Sequence, residues 1–150
     1  MRYLLPILCL FVFSCDNNPT MSQEDDFTSI LVTDEQGNHM GYEGNENNYG
    51  GCISSSDLSV SYPYPNPSME FSIDVGASFT SADITITVIN DSYEHIATLF
   101  DSTIPPFGAY SVSWSGLDFN YNQTPNGYYR MLVNSSNGDE ICYFNLKKLP

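Results

Sequence analysis

Gly108-Ala109-Tyr110-Ser111-Val112-Ser113-Trp114-Ser115-Gly116-Leu117-Asp118 decides the fold. Tyr110, Val112 and Trp114 alternate with Ser111 and Ser113, so a pleated strand sends the large apolar side chains to one face and the serines to the other. Glycines bracket the run as turn residues do. The same period of two recurs on both sides. Met69, Phe71, Ile73 and Val75 alternate with Glu70, Ser72 and Asp74; Ile84, Ile86 and Val88 alternate with Thr85 and Thr87. Ile96 and Leu99 mark a short strand after Asn90-Asp91-Ser92. Tyr129, Met131 and Val133 form another, and Ile141 to Leu146 closes the chain after the hairpin signal Asn137-Gly138-Asp139. No window of helical length carries a 3.6-residue period. The pattern predicts an all-β chain: one antiparallel β-sandwich of about seven strands over residues 57–150, with Trp114 in its core.

The whole chain has 150 residues, enough for one domain. Eighteen Asp and Glu face four Lys and Arg, a net charge of −14. Phosphate binding needs clustered cations, so nucleic acid is excluded as a partner, and so is docking on anionic head groups through charge. A hydrophobic content of 41% is too high for a wholly disordered acidic chain.

The N-terminus reads as an address. Arg2 precedes the apolar run Leu4 to Phe13, interrupted by Pro6, which suits a secretory signal and is too short to cross a bilayer. Ser14-Cys15 at the end of that run resembles the bacterial lipobox, with Phe13 bulkier than is usual at its place. The resemblance implies a signal peptide over 1–14, lipidation of Cys15 and a membrane partner through the N-terminal lipid. The address it implies is the bacterial cell envelope, with the outer membrane as the expected site and its face left open. The competing reading is an ordinary signal peptide cut near a cysteine. Outside the cytoplasm disulfides persist, and Cys52 and Cys142 remain to form one, contributing about 4–5 kcal/mol in the chain-entropy picture. Two free thiols are the alternative. No metal site is expected, since only His39 and His95 could join these cysteines. Residues 15–56 are acidic and rich in Gly and Asn. They predict a flexible tether with room for one short strand, Phe27 to Val32, docked on the body.

Four short motifs carry a further resemblance. They are Tyr64-Pro65-Asn66-Pro67; the strand Ile84 to Ile89 with Asn90, turning into Ile96-Ala97-Thr98-Leu99; Gly108-x-Tyr110-x-Val112-x-Trp114-x-Gly116-x-Asp118; and Pro125-Asn126-Gly127-Tyr128-Tyr129. In order and spacing they resemble the Ig-like domain of the bacterial hook-capping (FlgD-like) protein and, equally, the C-terminal sorting domain of type IX secretion cargo. The resemblance covers about 90 residues, down to Lys147-Lys148 near the end, and implies an Ig-like sandwich. Each motif also has a physical job. Pro65 and Pro67 have no N–H and stop strand pairing. Gly108 permits a tight turn. Asp118 can accept backbone N–H groups in the loop after it. Tyr129 can bury its ring and return its hydroxyl to backbone. Tyr93 and Tyr121 stand where that family carries turn glycines. Tyrosine is penalised at positive φ, so either these turns take another geometry or the correspondence slips by a residue.

The sequence holds no catalytic constellation: no nucleophile elbow, no His-Glu-x-x-His, no phosphate-binding loop. His39 and His95 read as solvated. Asp118-x-Asn120-x-Asn122 begins like a calcium loop but carries Gln123 and Tyr129 at the positions that need glycine and glutamate. The expectation is a non-enzymatic, cofactor-free protein whose partner is an envelope or secretion-system protein. A sorting domain without cargo is the alternative. A further one is a glycan- or peptide-binding module whose platform is Tyr62, Tyr64, Tyr121 and Tyr128.

Overall fold

The computed structural model describes residues 26–52, 57–135 and 140–150. The signal segment, Cys15 and the Asn137-Gly138-Asp139 turn lie outside the described residues. Ten strands follow in order: β1 (Ile30–Thr33), β2 (His39–Glu43), β3 (Gly50–Cys52), β4 (Leu58–Val60), β5 (Phe71–Ala77), β6 (Ala82–Asn90), β7 (His95–Ile104), β8 (Ala109–Trp114), β9 (Gly127–Ser135) and β10 (Glu140–Lys148). They form a five-stranded sheet of order β3-β10-β9-β6-β7, a three-stranded sheet β4-β5-β8 and a separate β1-β2 hairpin, with every strand pair antiparallel.

The alternation in the sequence is what closes the two larger sheets on each other. Phe71, Ile73 and Val75 of β5 and Val112 and Trp114 of β8 turn inward. They meet Ile84, Ile86 and Val88 of β6, Tyr129, Met131 and Val133 of β9 and Cys142, Phe144 and Leu146 of β10. Each such side chain contributes roughly 1.5–3 kcal/mol by leaving water. Trp114 stacks on Phe71 at 5.8 Å between ring centroids and meets Tyr129 edge-on at 4.9 Å. Its indole N–H donates to Leu117 O at 2.9 Å, so the polar edge of the buried ring is satisfied. Tyr110 shares the alternation but is exposed, because it sits at the far end of an edge strand, against the ring of Phe100.

The expected tether is corrected over much of its length. Residues 26–52 are folded, and they form β1, β2 and β3 on the body. Ile30 and Leu31 are buried, so the expected docking strand is one arm of a hairpin. The composition argument considers only apolar burial, and this stretch has little. Its order comes from polar groups instead. Asn145 on β10, 1% exposed, places Nδ2 at 2.8–2.9 Å from the carbonyls of Asp26, Ser29 and Asn48, and its Oδ1 accepts from Arg130 Nε at 2.8 Å. Asn66, between Pro65 and Pro67, is equally buried. Its Nδ2 donates to Leu31 O and Asn145 O, its Oδ1 accepts from Lys147 N, and its backbone exchanges two hydrogen bonds with Thr33. Both flanking peptide bonds, Tyr64-Pro65 and Asn66-Pro67, are cis. The Cys52–Cys142 disulfide then fixes β3 to β10 across a sequence separation of 90.

Asn145→Ala strips three backbone carbonyls and Arg130 of a buried partner. It is expected to cost about 2–4 kcal/mol in urea unfolding. Asn120→Ala, on an exposed loop, should cost under about 0.5 kcal/mol. A loss at Asn145 no larger than at Asn120 would remove that asparagine from the centre of the architecture.

Candidate functional site

Three surfaces gather residues with chemistry to offer. The first lies on the folded N-terminal segment. Tyr42 of β2 packs against His39 at 4.7 Å and against Tyr49 at 5.0 Å; Tyr49 meets Tyr62 at 6.0 Å, and Tyr62 meets Phe144 at 5.5 Å. Met40 is 66% exposed on the same strand as Tyr42. Partial desolvation, with Tyr49 beside them, raises the Tyr42 and Tyr62 phenols above their ordinary range. Of the four tyrosines expected to form a platform, only Tyr62 joins this group. Tyr64 donates to Asp74 at 2.8 Å, Tyr128 donates to Glu43 at 3.3 Å, and Tyr121 stands alone on a loop. Tyr42 and Tyr49 escape a reading by composition because they sit in the stretch that looks like tether.

The second surface is the end of the sandwich built by the β6–β7 turn and the β8–β9 loop. Asn90 organises the turn: its Oδ1 accepts from Ser92 N and Glu94 N, and its Nδ2 donates to Glu94 Oε2. Asp118 organises the loop, accepting from the N–H groups of Asn120 and Asn122, both at 2.8 Å. Those bonds, Asn122 first, hold the Asp118 carboxyl below its ordinary range. Gly116 is required by geometry. Its φ is +73°, and a Cβ there would lie 2.3 Å from Lys148 Cε. The buried Lys148 ammonium passes that point to reach Thr124 O at 3.0 Å and Asn126 Oδ1 at 3.3 Å. The Tyr129 hydroxyl donates to Pro125 O at 2.7 Å. Gly127 opens β9 behind it at φ +154°.

Tyr93 and Tyr121 do occupy the left-handed region, at φ 60° and 63°. The turns thus keep the glycine geometry, with tyrosine carried in it. Phe107 does the same at φ 59°, immediately before Gly108, where a Cβ would meet Pro105 O at 2.8 Å. Tyr93 has a local return: its ring meets Phe27 edge-on at 5.3 Å. Phe107 pairs with Phe79 at 5.6 Å, and these two exposed rings form the third surface, at the opposite end of the strands.

The two histidines lie apart, each at the surface. His39 lies against Tyr42, and His95 bonds Thr98 Oγ1 at 3.0 Å; both are exposed. Among the described residues, no three of His, Cys, Asp and Glu are grouped as a metal ion would need.

Two outcomes follow from this geometry. Tyr121→Gly removes left-handed strain without losing a ring contact. It should raise stability by about 0.5–1.5 kcal/mol, whereas Tyr93→Gly gains less because the Phe27 contact goes with it; thermal melts compare the two. Asp118 has a folded-state pKa below the unfolded 3.8. Its contribution is therefore complete above that value and lost as pH falls through the folded one. The destabilisation by Asp118→Ala, measured in urea, should be largest near pH 7 and shrink by pH 2.5.

No family model matches the sequence, and no curated protein matches it.

Proposed function

We propose that the protein is a non-enzymatic lipoprotein of the bacterial envelope, in which acylated Cys15 holds an Ig-like sandwich that presents an aromatic surface to another envelope protein. The observation that carries the binding half is the ladder Tyr42–Tyr49–Tyr62 beside exposed Met40. Tyrosines that show both a ring face and a hydroxyl are favoured at protein interfaces, since they add contact area at small entropic cost. The address half draws on Leu4 to Phe13 and Ser14-Cys15. The Cys52–Cys142 bridge supports it, because disulfides persist in oxidising compartments.

The alternative is a type IX sorting domain. It draws on the four motifs and on Lys147-Lys148. Both lysines are engaged within the fold: Lys147 pairs with Glu43, and Lys148 is buried under the β8–β9 loop. Little basic surface is left for a receptor to read, which favours the first reading.

Labelled palmitate tests the proposal in cells. Wild type should take up label and Cys15→Ser should not; equal labelling of the two sinks the anchor. Fusing residues 57–150 to a reporter in a type IX-competent host separates the alternative, which requires the reporter to reach the surface.

A further inference from the structure

Between the β6–β7 turn and the β8–β9 loop lies a cleft of about 370 Å³, lined among others by Asp91, Gln123, Asn126 and Tyr128. That volume is in the lower part of the range for small-molecule sites. We propose that this cleft binds a neutral oligosaccharide, a function independent of the anchor and of the tyrosine ladder.

Three planar polar groups face solvent there without a hydrogen bond to any of the described residues: the Asp91 carboxylate, the Gln123 amide and the Asn126 Nδ2, whose own Oδ1 is taken by Lys148. Together they offer a carboxylate acceptor and amide donors and acceptors, the set that matches pairs of neighbouring hydroxyls. The other polar lining groups are engaged in building the walls. Asp118 accepts from Asn120 and Asn122, and Asn90 from Ser92 and Glu94. The walls are turns closed on themselves, with Tyr93 N bonding Asn90 O and Tyr121 N bonding Asp118 O. The edge strand β7 borders the cleft at Ile96, but the Ile96 carbonyl already accepts from Phe119 N, so that stretch of edge is closed to a peptide strand, which favours a sugar over a peptide.

The loop that makes one wall carries two exposed rings, Phe119 and Tyr121. Tyr121 is 86% exposed, touches no other ring and sits at φ 63°, where glycine is cheaper. It stands in the loop between Asp118 and Gln123, both of which line the cleft, and offers outward a flat face for the C–H side of a sugar ring. Charge sets the ligand class. The three cations beyond Arg2 are Arg130, Lys147 and Lys148, and each is engaged inside the fold. A surface of acids without free cations repels phosphate, sulfate and uronate groups. Neutral hydroxyl-rich chains remain.

The test uses the full chain, purified in a detergent without a sugar head group, and titration calorimetry. The probes are cellohexaose, mannohexaose, xylohexaose and chitohexaose, with oligogalacturonate and a lysine-rich peptide for comparison. At least one neutral probe should bind, with Kd in the micromolar to millimolar range. Tyr121→Ala and Gln123→Ala should each weaken it about tenfold or more while the thermal midpoint of Tyr121→Ala does not fall. Tyr42→Ala, on the other surface, should bind as wild type does. The proposal is overturned if no neutral probe binds, if Tyr121→Ala and Gln123→Ala bind unchanged, or if oligogalacturonate or the peptide binds better.

Discussion

A carboxamide sealed from water with several backbone carbonyls around it is the constraint on which this architecture rests. Asn145 Nδ2 has two hydrogens and three carbonyl neighbours, from Asp26, Ser29 and Asn48, and its oxygen is held by Arg130. Each of those carbonyls belongs to a segment too poor in apolar residues to order itself. Unpaired, they would need water, and the buried asparagine replaces it. Asn66 repeats the device from the other side, joining Leu31 and Lys147 through one amide. It also donates to Asn145's own carbonyl, so the two clamps are one network. A side chain with a donor and an acceptor on one plane makes this possible, and a change of charge or shape at either position would leave buried partners unpaired.

The same region absorbs the cations. The Arg130 guanidinium lies between the rings of Phe27 and Tyr143, 4.1 and 4.6 Å from their centroids, and so packs the N-terminal segment against the outer face of the five-stranded sheet. Lys147 pairs with Glu43, and Lys148 supports the β8–β9 loop from beneath. The consequence reaches function: positive charge is used internally and the outside is left to carboxylates, tyrosines and amides. Such a surface suits partners recognised by ring faces and hydrogen bonds.

Legibility was uneven for stated reasons. The sandwich was readable because its information is local: residues two apart face the same way, so Val112 with Trp114, or Met131 with Val133, announce an inner face before any partner is known. The role of Asp118 was readable too, since the N–H groups that donate to it lie within four residues. Residues 26–52 were not readable, because what orders them lies at Asn66 and Asn145, far along the chain, and an asparagine in a strand looks the same whether it is solvated or clamping. The aromatic ladder was missed with that segment. At Tyr93 and Tyr121 the sequence posed the right question, tyrosine in place of glycine, but not the answer that the backbone keeps its left-handed turn.

The sequence by itself determined the all-β class and the strand positions within the sandwich, since these follow from period and turn chemistry; it left the Cys52–Cys142 bridge and two free thiols both open. The tertiary structure alone decided that residues 26–52 pack on the sandwich and which tyrosines meet. It also decided which polar side chains are consumed by the fold and which face solvent. Those depend on contacts between residues tens of positions apart, and no local pattern encodes whether an amide or a phenol finds its partner in the protein or outside it.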